Sequence, residues 1–427
     1  MRGRDLETDS PGSPLNRMGF LRGDHTFLSN AVRHPTTSFL LCKDLQPLVH
    51  DKTKLAFVKH EDVKAIIGED PYSVKEDEFI KQYNSTKHIP QMIFLGVDEK
   101  VKDSLVYKDM YKGAPYFALD VTPRANVKDA CESLISKLES KGLTFAQGRA
   151  MDLTAPDGTQ YIPPASFYRQ DHIARSDAMY TDSSQAAMYA EARQLLDWNL
   201  RNPFCAQCGQ PTLSVNGGFK RTCPPNDMSK VPDTAQSTSA EQPVADTTAR
   251  PPCATRKGVS NLSFPRTDPT VIMAIINHAG DKILLGRSKR FPIYWYSTLA
   301  GFCEPAESIE EAVRREVYEE AGVHVGRVVI HSTQPWPYPA NLMIGAIGQA
   351  IPEGETIDLG NDPELEDAKW YSFDEVRHAL KVGTSGIGED SGPEYKEGDL
   401  RLPPTTAIAN QLMTAVVNGF LSAEPKM

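Results

Sequence analysis

Glu316, Glu319 and Glu320 stand at i, i+3 and i+4 of a stretch with helical periodicity, so three carboxylates share one helix surface. Like charges at this spacing repel by roughly 0.2–0.5 kcal/mol per pair. A hard divalent cation reverses the sign, since it binds carboxylate oxygens together with substrate phosphates. The chemistry open to such a set is metal-assisted attack of water on phosphorus, which needs neutralised phosphate oxygens and an acidified water. The bland alternative is a solvated acidic face partly offset by Arg314 and Arg315, and three glutamates alone do not decide between the two.

The flanking residues specify the element that carries them. Ser308 and Glu311 form the S-x-x-E pair that caps a helix start reciprocally. Ile309, Val313 and Val317 repeat every four residues and supply a buried stripe. Gly322 can take the left-handed conformation that ends the helix.

A second set of chemical groups lies upstream. Cys205-x2-Cys208-Gly209 has the form of a zinc knuckle, with Cys223 following 15 residues later. The next cysteine, Cys253, lies 30 positions beyond Cys223, across a soluble, aromatic-free stretch at 224–252 that can loop out at modest entropic cost. Four thiolates predict a closed structural Zn²⁺ site with no open position for catalysis, with Cys253 the ligand least supported by spacing. Cys42, Cys131 and Cys303 read as ordinary residues.

The chain has 427 residues, enough for two or three domains, and 40% of them are apolar, enough to bury real cores. Lys+Arg 46 against Asp+Glu 56 gives −10, which argues against gripping long nucleic acid but not against contact with one phosphorylated end. No apolar run approaches the roughly 20 residues of a membrane span, and no secretory signal opens the chain, so an intracellular, membrane-free protein is expected. The terminal Pro425-Lys426-Met427 is similar to a degenerate peroxisomal targeting tripeptide, leaving cytoplasmic and peroxisomal locations both open.

Along the chain, residues 1–12 read as disordered. Residues 13–185 carry short β-type runs (38–42, 54–60, 92–98 and 115–121) and predict a mostly β or α+β domain. Residues 186–263 comprise a helix at 186–199 and the cysteine module, with 224–252 as a flexible insertion; 264–427 alternate strands and helices as in an α/β/α sandwich, with a second soft stretch at 382–400. The whole is an α+β chain. Near the acidic helix, Gln334-Pro335-Trp336-Pro337-Tyr338-Pro339 is an extended segment whose prolines fix two aromatic directions. Its rings suit stacking on a planar base, or else fill a core.

Gly301, Glu307, Arg315-Glu316-Val317, Glu319-Glu320 and Gly322-Val323 match the Nudix box at every defined position over 23 residues. The resemblance implies a Nudix hydrolase fold and metal-assisted hydrolysis of a nucleoside diphosphate linked to another group. On this reading Glu316 and Glu320 ligate Mg²⁺ or Mn²⁺, Glu319 ligates a second ion or accepts the water's proton, and Glu307 and Arg315 hold loop to helix by an ion pair. Residues 333–341 resemble the SQPWPFPxS signature of the NADH pyrophosphatase subfamily, with Thr333, Tyr338 and Asn341 standing where it has Ser, Phe and Ser. That resemblance assigns Gln334, Pro335, Trp336, Pro337, Tyr338, Pro339, Ala340 and Asn341 to substrate binding. The segment 363–371 resembles the subfamily's E-[IL]-x-[ED]-A-x-W-[FY] and makes Glu364 a further metal ligand, with Glu366 as competitor. Ala300 matches a position whose carbonyl approaches the metal, and Ala409, in Thr406-Ala-Ile-Ala409, one near substrate. Phe302 is a base-stacking candidate against an equally weighted role in the core. Phe264, in a segment similar to Y-P-R-x-D-P, replaces a substrate-side Tyr and loses its hydroxyl.

The resemblance implies cleavage of NADH, and less selectively NAD⁺, to AMP and nicotinamide mononucleotide by a homodimer. Removal of NAD caps from RNA 5′ ends breaks the same bond. The rival of another class is a binding protein whose zinc ribbon contacts nucleic acid or protein while the Nudix fold is inert. Three retained, mutually repelling glutamates and the lack of a basic, aromatic-interleaved patch around the ribbon speak against it.

Overall fold

The computed structural model describes residues 13–51, 54–146, 183–230, 248–257, 260–336, 340–361, 364–387 and 392–420. The expectations for 1–12, for Pro337, Tyr338 and Pro339, and for the terminal tripeptide fall outside the described residues. The chain divides into two compact units, with the boundary at Arg266/Thr267. Among the described residues, no helix is long and apolar enough to cross a membrane.

The first unit is built on a mixed sheet. Its strands are β1 (Ser38–Lys43), β2 (Gln46–Asp51), β3 (Lys54–Leu55), β4 (Phe57–Val58), β5 (Met92–Asp98), β6 (Leu105–Tyr107), β7 (Tyr111–Asp120) and β8 (Thr144–Phe145). The main path runs β3-β2-β1-β7-β5, and the one parallel pair on it is β1 with β7. β1 and β5 are apolar almost throughout because both sheet faces are covered. On one face pack α1 (His25–Arg33), α2 (His60–Ile67) and α4 (Lys128–Glu139); the short α3 (Glu76–Lys81) buries no residue fully. On the other face lies α5 (Ser183–Arg201), whose Met188, Tyr189, Ala192, Leu195 and Leu196 pack with Leu40, Ile93 and Leu95. The sequence reading grouped that helix with the cysteine module; its apolar stripe makes it a layer of the N-terminal sheet.

The ribbon hairpin β9 (Leu213–Val215) and β10 (Lys220–Thr222) seats in the same unit. A Cβ on Gly218 would meet Ile93 at 2.3 Å and the Met92 carbonyl at 2.7 Å, so only glycine permits this approach. The stretch 224–252 is ordered at both described ends, contrary to its reading as one flexible insertion. Asp227 and Arg250 form a buried ion pair, and Asn226 bridges Ala249. A short helix, α6 (Ser260–Ser263), follows.

The second unit contains β11 (Asp268–Ile276), β12 (Lys282–Ser288), β13 (Leu299–Phe302), β14 (Val325–Trp336), β15 (Asn341–Ala350) and β16 (Leu365–Ser372), ordered β14-β15-β11-β12-β16 with β13 on β11. β11 and β15 run parallel, and the other pairs are antiparallel. α7 (Ile309–Ala321) covers one face through Val313, Val317 and Ala321; α8 (Phe373–Val382) and α9 (Ile408–Val417) cover the other. The expected α/β/α sandwich is the observed one.

Candidate active site

The acidic helix starts and stops where its residues dictate. Ser308 Oγ accepts from the Glu311 amide, and Glu311 Oε2 accepts from the Ser308 amide at 2.8 Å. Gly322 closes the helix at φ 69°, as a left-handed cap requires. Val313 and Val317 are fully buried, which fixes the rotation of the helix and hence the direction of each carboxylate.

That rotation sends Glu316 against β13. Its carboxylate rests on Gly301, and Glu320, one turn on, is buried, whereas the Glu319 side chain is 45% exposed. Arg315 gathers the set. Its guanidinium forks onto Glu307 (Nε to Oε1 2.7 Å, Nη2 to Oε2 2.9 Å), and Nη1 donates at 2.9 Å to both Glu316 and Glu319. Nη2 also donates to the Phe302 carbonyl at 2.7 Å, joining helix to strand. Arg314 takes no part in this: it donates to the Gly326 carbonyl.

The electrostatics follow from these contacts. The Arg315 hydrogen bonds hold Glu307 below the usual carboxylate range. Burial pushes Glu316 up, against the pull of Arg315, and the charges of Glu319 and Glu364 push the same way. Glu364 is thus near enough for its charge to act on Glu316, whereas Glu366 is taken by Arg287 in an ion pair at 2.7 Å. Glu316, whose ionisation burial and neighbouring charge disfavour, presents a hard-oxygen donor of the kind that suits a divalent cation.

On the strand beside the acidic helix, Phe302 is 58% exposed, which removes the core-packing alternative. The segment through Trp336 continues β14, with Gln334 opposite Met343, Pro335 opposite Leu342 and Trp336 opposite Asn341. Trp336 is half-buried against the face covered by α9. The Gln334 amide is engaged internally: Nε2 donates to the Thr406 carbonyl at 2.9 Å and Oε1 accepts from the Ile408 amide at 3.0 Å. Asn341 donates to Thr270 Oγ1 at 2.8 Å, and the Ala340 carbonyl accepts from the Asp268 amide. Ala300 pairs with Ile272 on β13, directly before Gly301. Ala409 is buried in the core under α9, so its side chain meets protein. Phe264 belongs to the first unit, where Lys220 lies 5.5 Å from its ring.

The four cysteines converge. Cys205 and Cys253 approach to 3.5 Å, as do Cys208 and Cys223, and all four sulfurs lie within 4.8 Å of one another. A tetrahedral ion with Zn–S bonds of ~2.3 Å spaces its sulfurs by about 3.8 Å, so the set fits zinc. Gly209 relieves the knuckle at φ 70°. Although burial opposes it, hydrogen bonds from Thr255 and from the Cys208 and Gln207 amides draw the Cys205 thiol below its ordinary value, whereas burial pushes the Cys208 and Cys223 thiols up.

Comparison with known proteins matches the stretches that carry the acidic helix and the first three cysteines. The family descriptions that match are "NADH pyrophosphatase-like rudimentary NUDIX domain" over residues 36–198, "NADH pyrophosphatase zinc ribbon domain" over 200–228 and "NUDIX domain" over 266–387. The chain is 32% identical over 406 residues to the NAD-capped RNA hydrolase of Schizosaccharomyces pombe, covering 95% of this chain and 91% of that one. It belongs to the NADH pyrophosphatase group of Nudix hydrolases. Human NAD-capped RNA hydrolase NUDT12 is 31% identical over 93% of this chain and 71% of its own. Human mitochondrial NAD(P)H pyrophosphatase NUDT13 is 32% identical over 54% of this chain and 55% of its own.

Within this Nudix hydrolase several residues escape sequence reading. Tyr296 donates to Asp367 beneath β16, Thr270 holds Asn341, and Thr255 reaches Cys253 at 3.1 Å. The zinc-ribbon match ends at residue 228, before Cys253, so the fourth sulfur is identified by its position in space.

Proposed function

We propose that this chain hydrolyses the pyrophosphate bond of NADH, and less selectively of NAD⁺, to AMP and nicotinamide mononucleotide, using Mg²⁺ or Mn²⁺. The observation that carries this reading is the seating of Glu316 on Gly301, with Glu319 on the same Arg315 guanidinium, Glu320 buried one turn on and the exposed Phe302 on the adjoining strand. Divalent cations, when bound, neutralise the phosphate oxygens and acidify the attacking water. Glu316, Glu320 and Glu364 supply the holding oxygens. Glu319 is more accessible than Glu316 and Glu320 and can turn from Arg315 to accept a proton. Arg315 keeps the carboxylates aligned, and Phe302 offers a face for a base.

A second substrate reading has its own support. Relatives matching 93% or more of this chain are named NAD-capped RNA hydrolases, so removal of an NAD cap by the same bond cleavage is the alternative. We take the working form to be a homodimer, in line with the subfamily resemblance; light scattering of purified protein tests it. The deciding experiment for function incubates the protein with NADH and Mg²⁺, and in parallel with NAD-capped RNA, and follows AMP release or decapping. Activity on neither substrate, combined with tight RNA binding, overturns the enzyme reading in favour of an inert Nudix fold.

A further inference from the structure

Cys253 returns to the cysteine cluster after 30 positions, yet the chain on either side of it is held tightly. Two arginines stand three residues before and three after it, and each reaches back across the gap. Arg250 makes an ion pair with Asp227 at 2.5 Å, with both side chains 3% exposed or less, and donates to the Pro211 carbonyl at 2.7 Å. Pro211 directly follows Gln210, whose carbonyl accepts from Cys205, so Arg250 touches the base of the first knuckle. Arg256 donates to the Cys223 carbonyl at 2.9 Å and to the Pro224 carbonyl at 3.2 Å, the base of the other cysteine pair.

Backbone bonds reinforce the grip. The Asp227 amide donates to Thr248 and the Arg250 amide to Pro225, a short ladder closing the two ends of the insertion on each other. Asp227 is itself pinned, accepting from the Ser85 amide at 3.0 Å and from Ser229 Oγ at 2.8 Å. A ligand at the end of a long free loop would be ordered only on binding metal and would lose affinity to that ordering.

We propose that Arg250, with its partner Asp227, and Arg256 are positioning residues that bracket Cys253 and deliver it pre-ordered to the zinc ion. Residues that orient metal ligands from outside the coordination sphere typically contribute on the order of 10–100-fold in affinity. The bracket replaces the tight second cysteine pair of an ordinary ribbon. It makes the identity of residues 231–247 irrelevant to zinc retention.

The test measures zinc transfer from full-length protein to a coloured chelator, below the unfolding temperature, with cobalt-substituted absorption as a count of thiolate ligands. Arg250→Gln and Arg256→Gln should each release zinc about 10–100-fold faster than wild type. Arg250→Lys, which keeps the charge but loses the fork, should fall between and remain folded if the glutamine variant does not. Cys253→Ser should accelerate release strongly, and Arg250→Lys or Arg256→Gln should add little further in the Cys253→Ser background, because both arginines act through that one ligand. Leu138→Ala, which opens the core under α4, controls for general destabilisation and should leave release unchanged. Replacing 231–247 with a glycine–serine linker of equal length should also leave it unchanged. Wild-type release rates in the arginine variants, effects additive with Cys253→Ser, or accelerated release with the linker would each overturn the proposal.

Discussion

The Glu316 carboxylate occupies the space that any side chain at position 301 would need: a Cβ on Gly301 would stand 1.9 Å from Glu316 Cδ and 2.1–2.2 Å from its oxygens. The glycine is in strand β13, paired with Val271, and takes no left-handed turn there. Its role is therefore to leave room for the carboxylate. Gly301→Ala should keep the fold, since strand backbone accepts alanine, but displace Glu316. A displacement of about 1 Å in a catalytic group can cost on the order of 100-fold, so kcat with NADH should fall by about that factor while melting temperature changes little.

Arg315 is shared among Glu307, Glu316 and Glu319, and the sign of its effect on pH dependence can be worked out. Burial already raises Glu316 and Arg315 pulls it back down. Arg315→Met removes the pull, so Glu316 ionises at higher pH and the acid limb of the activity profile should shift upward. Stability follows Glu307, whose carboxyl is depressed by the same arginine. A depressed carboxyl stabilises the fold above its unfolded value and loses that contribution as pH falls through the folded one. The wild type should therefore lose stability on acidification below about pH 4, and the variant should show less of this loss. Activity–pH profiles and acid unfolding curves check the two halves separately.

How much of this was legible in the sequence depended on range. The whole of α7 was readable because its cap, stripe and stop lie within 15 residues, from Ser308 to Gly322. The four zinc-type cysteines were readable as a set, though spacing alone left Cys253 weakly supported. The sequence could not show where Gln334 and Asn341 spend their amides, since the partners Thr406, Ile408 and Thr270 are 71 to 74 positions away. Composition likewise missed that Asp227 and Arg250 leave water together, because a polar stretch looks flexible until its ions find each other. The layer to which α5 belongs was hidden for the same reason: its stripe announces a buried face without naming the sheet it covers.

Glu364 and Glu366 compete for one role by sequence, and the structure separates them. Arg287 neutralises Glu366 at 2.7 Å, whereas the charge of Glu364 acts on Glu316. Glu364→Gln should lower kcat and raise the Mg²⁺ or Mn²⁺ concentration needed for half-maximal activity, on the order of 10-fold or more. Glu366→Gln should leave both nearly unchanged and alter stability by less than about 1 kcal/mol, as expected for a half-exposed pair. Metal titrations of the two variants side by side decide the assignment. An equal loss in both would show that Arg287 does not take Glu366 out of the site.

Phe302 is exposed at the end of β13, while its carbonyl is held by Arg315. The position of the ring is thus fixed by a backbone bond that survives truncation of the side chain. Phe302→Ala should therefore leave the carboxylate cluster in place and remove only a stacking face. Stacking of a base on an aromatic ring is worth about 1–3 kcal/mol, so KM for NADH should rise roughly 5- to 150-fold with a smaller change in kcat. Phe302→Trp should restore most of the affinity. If alanine instead lowers kcat at unchanged KM, the ring supports the catalytic helix and the base is bound elsewhere.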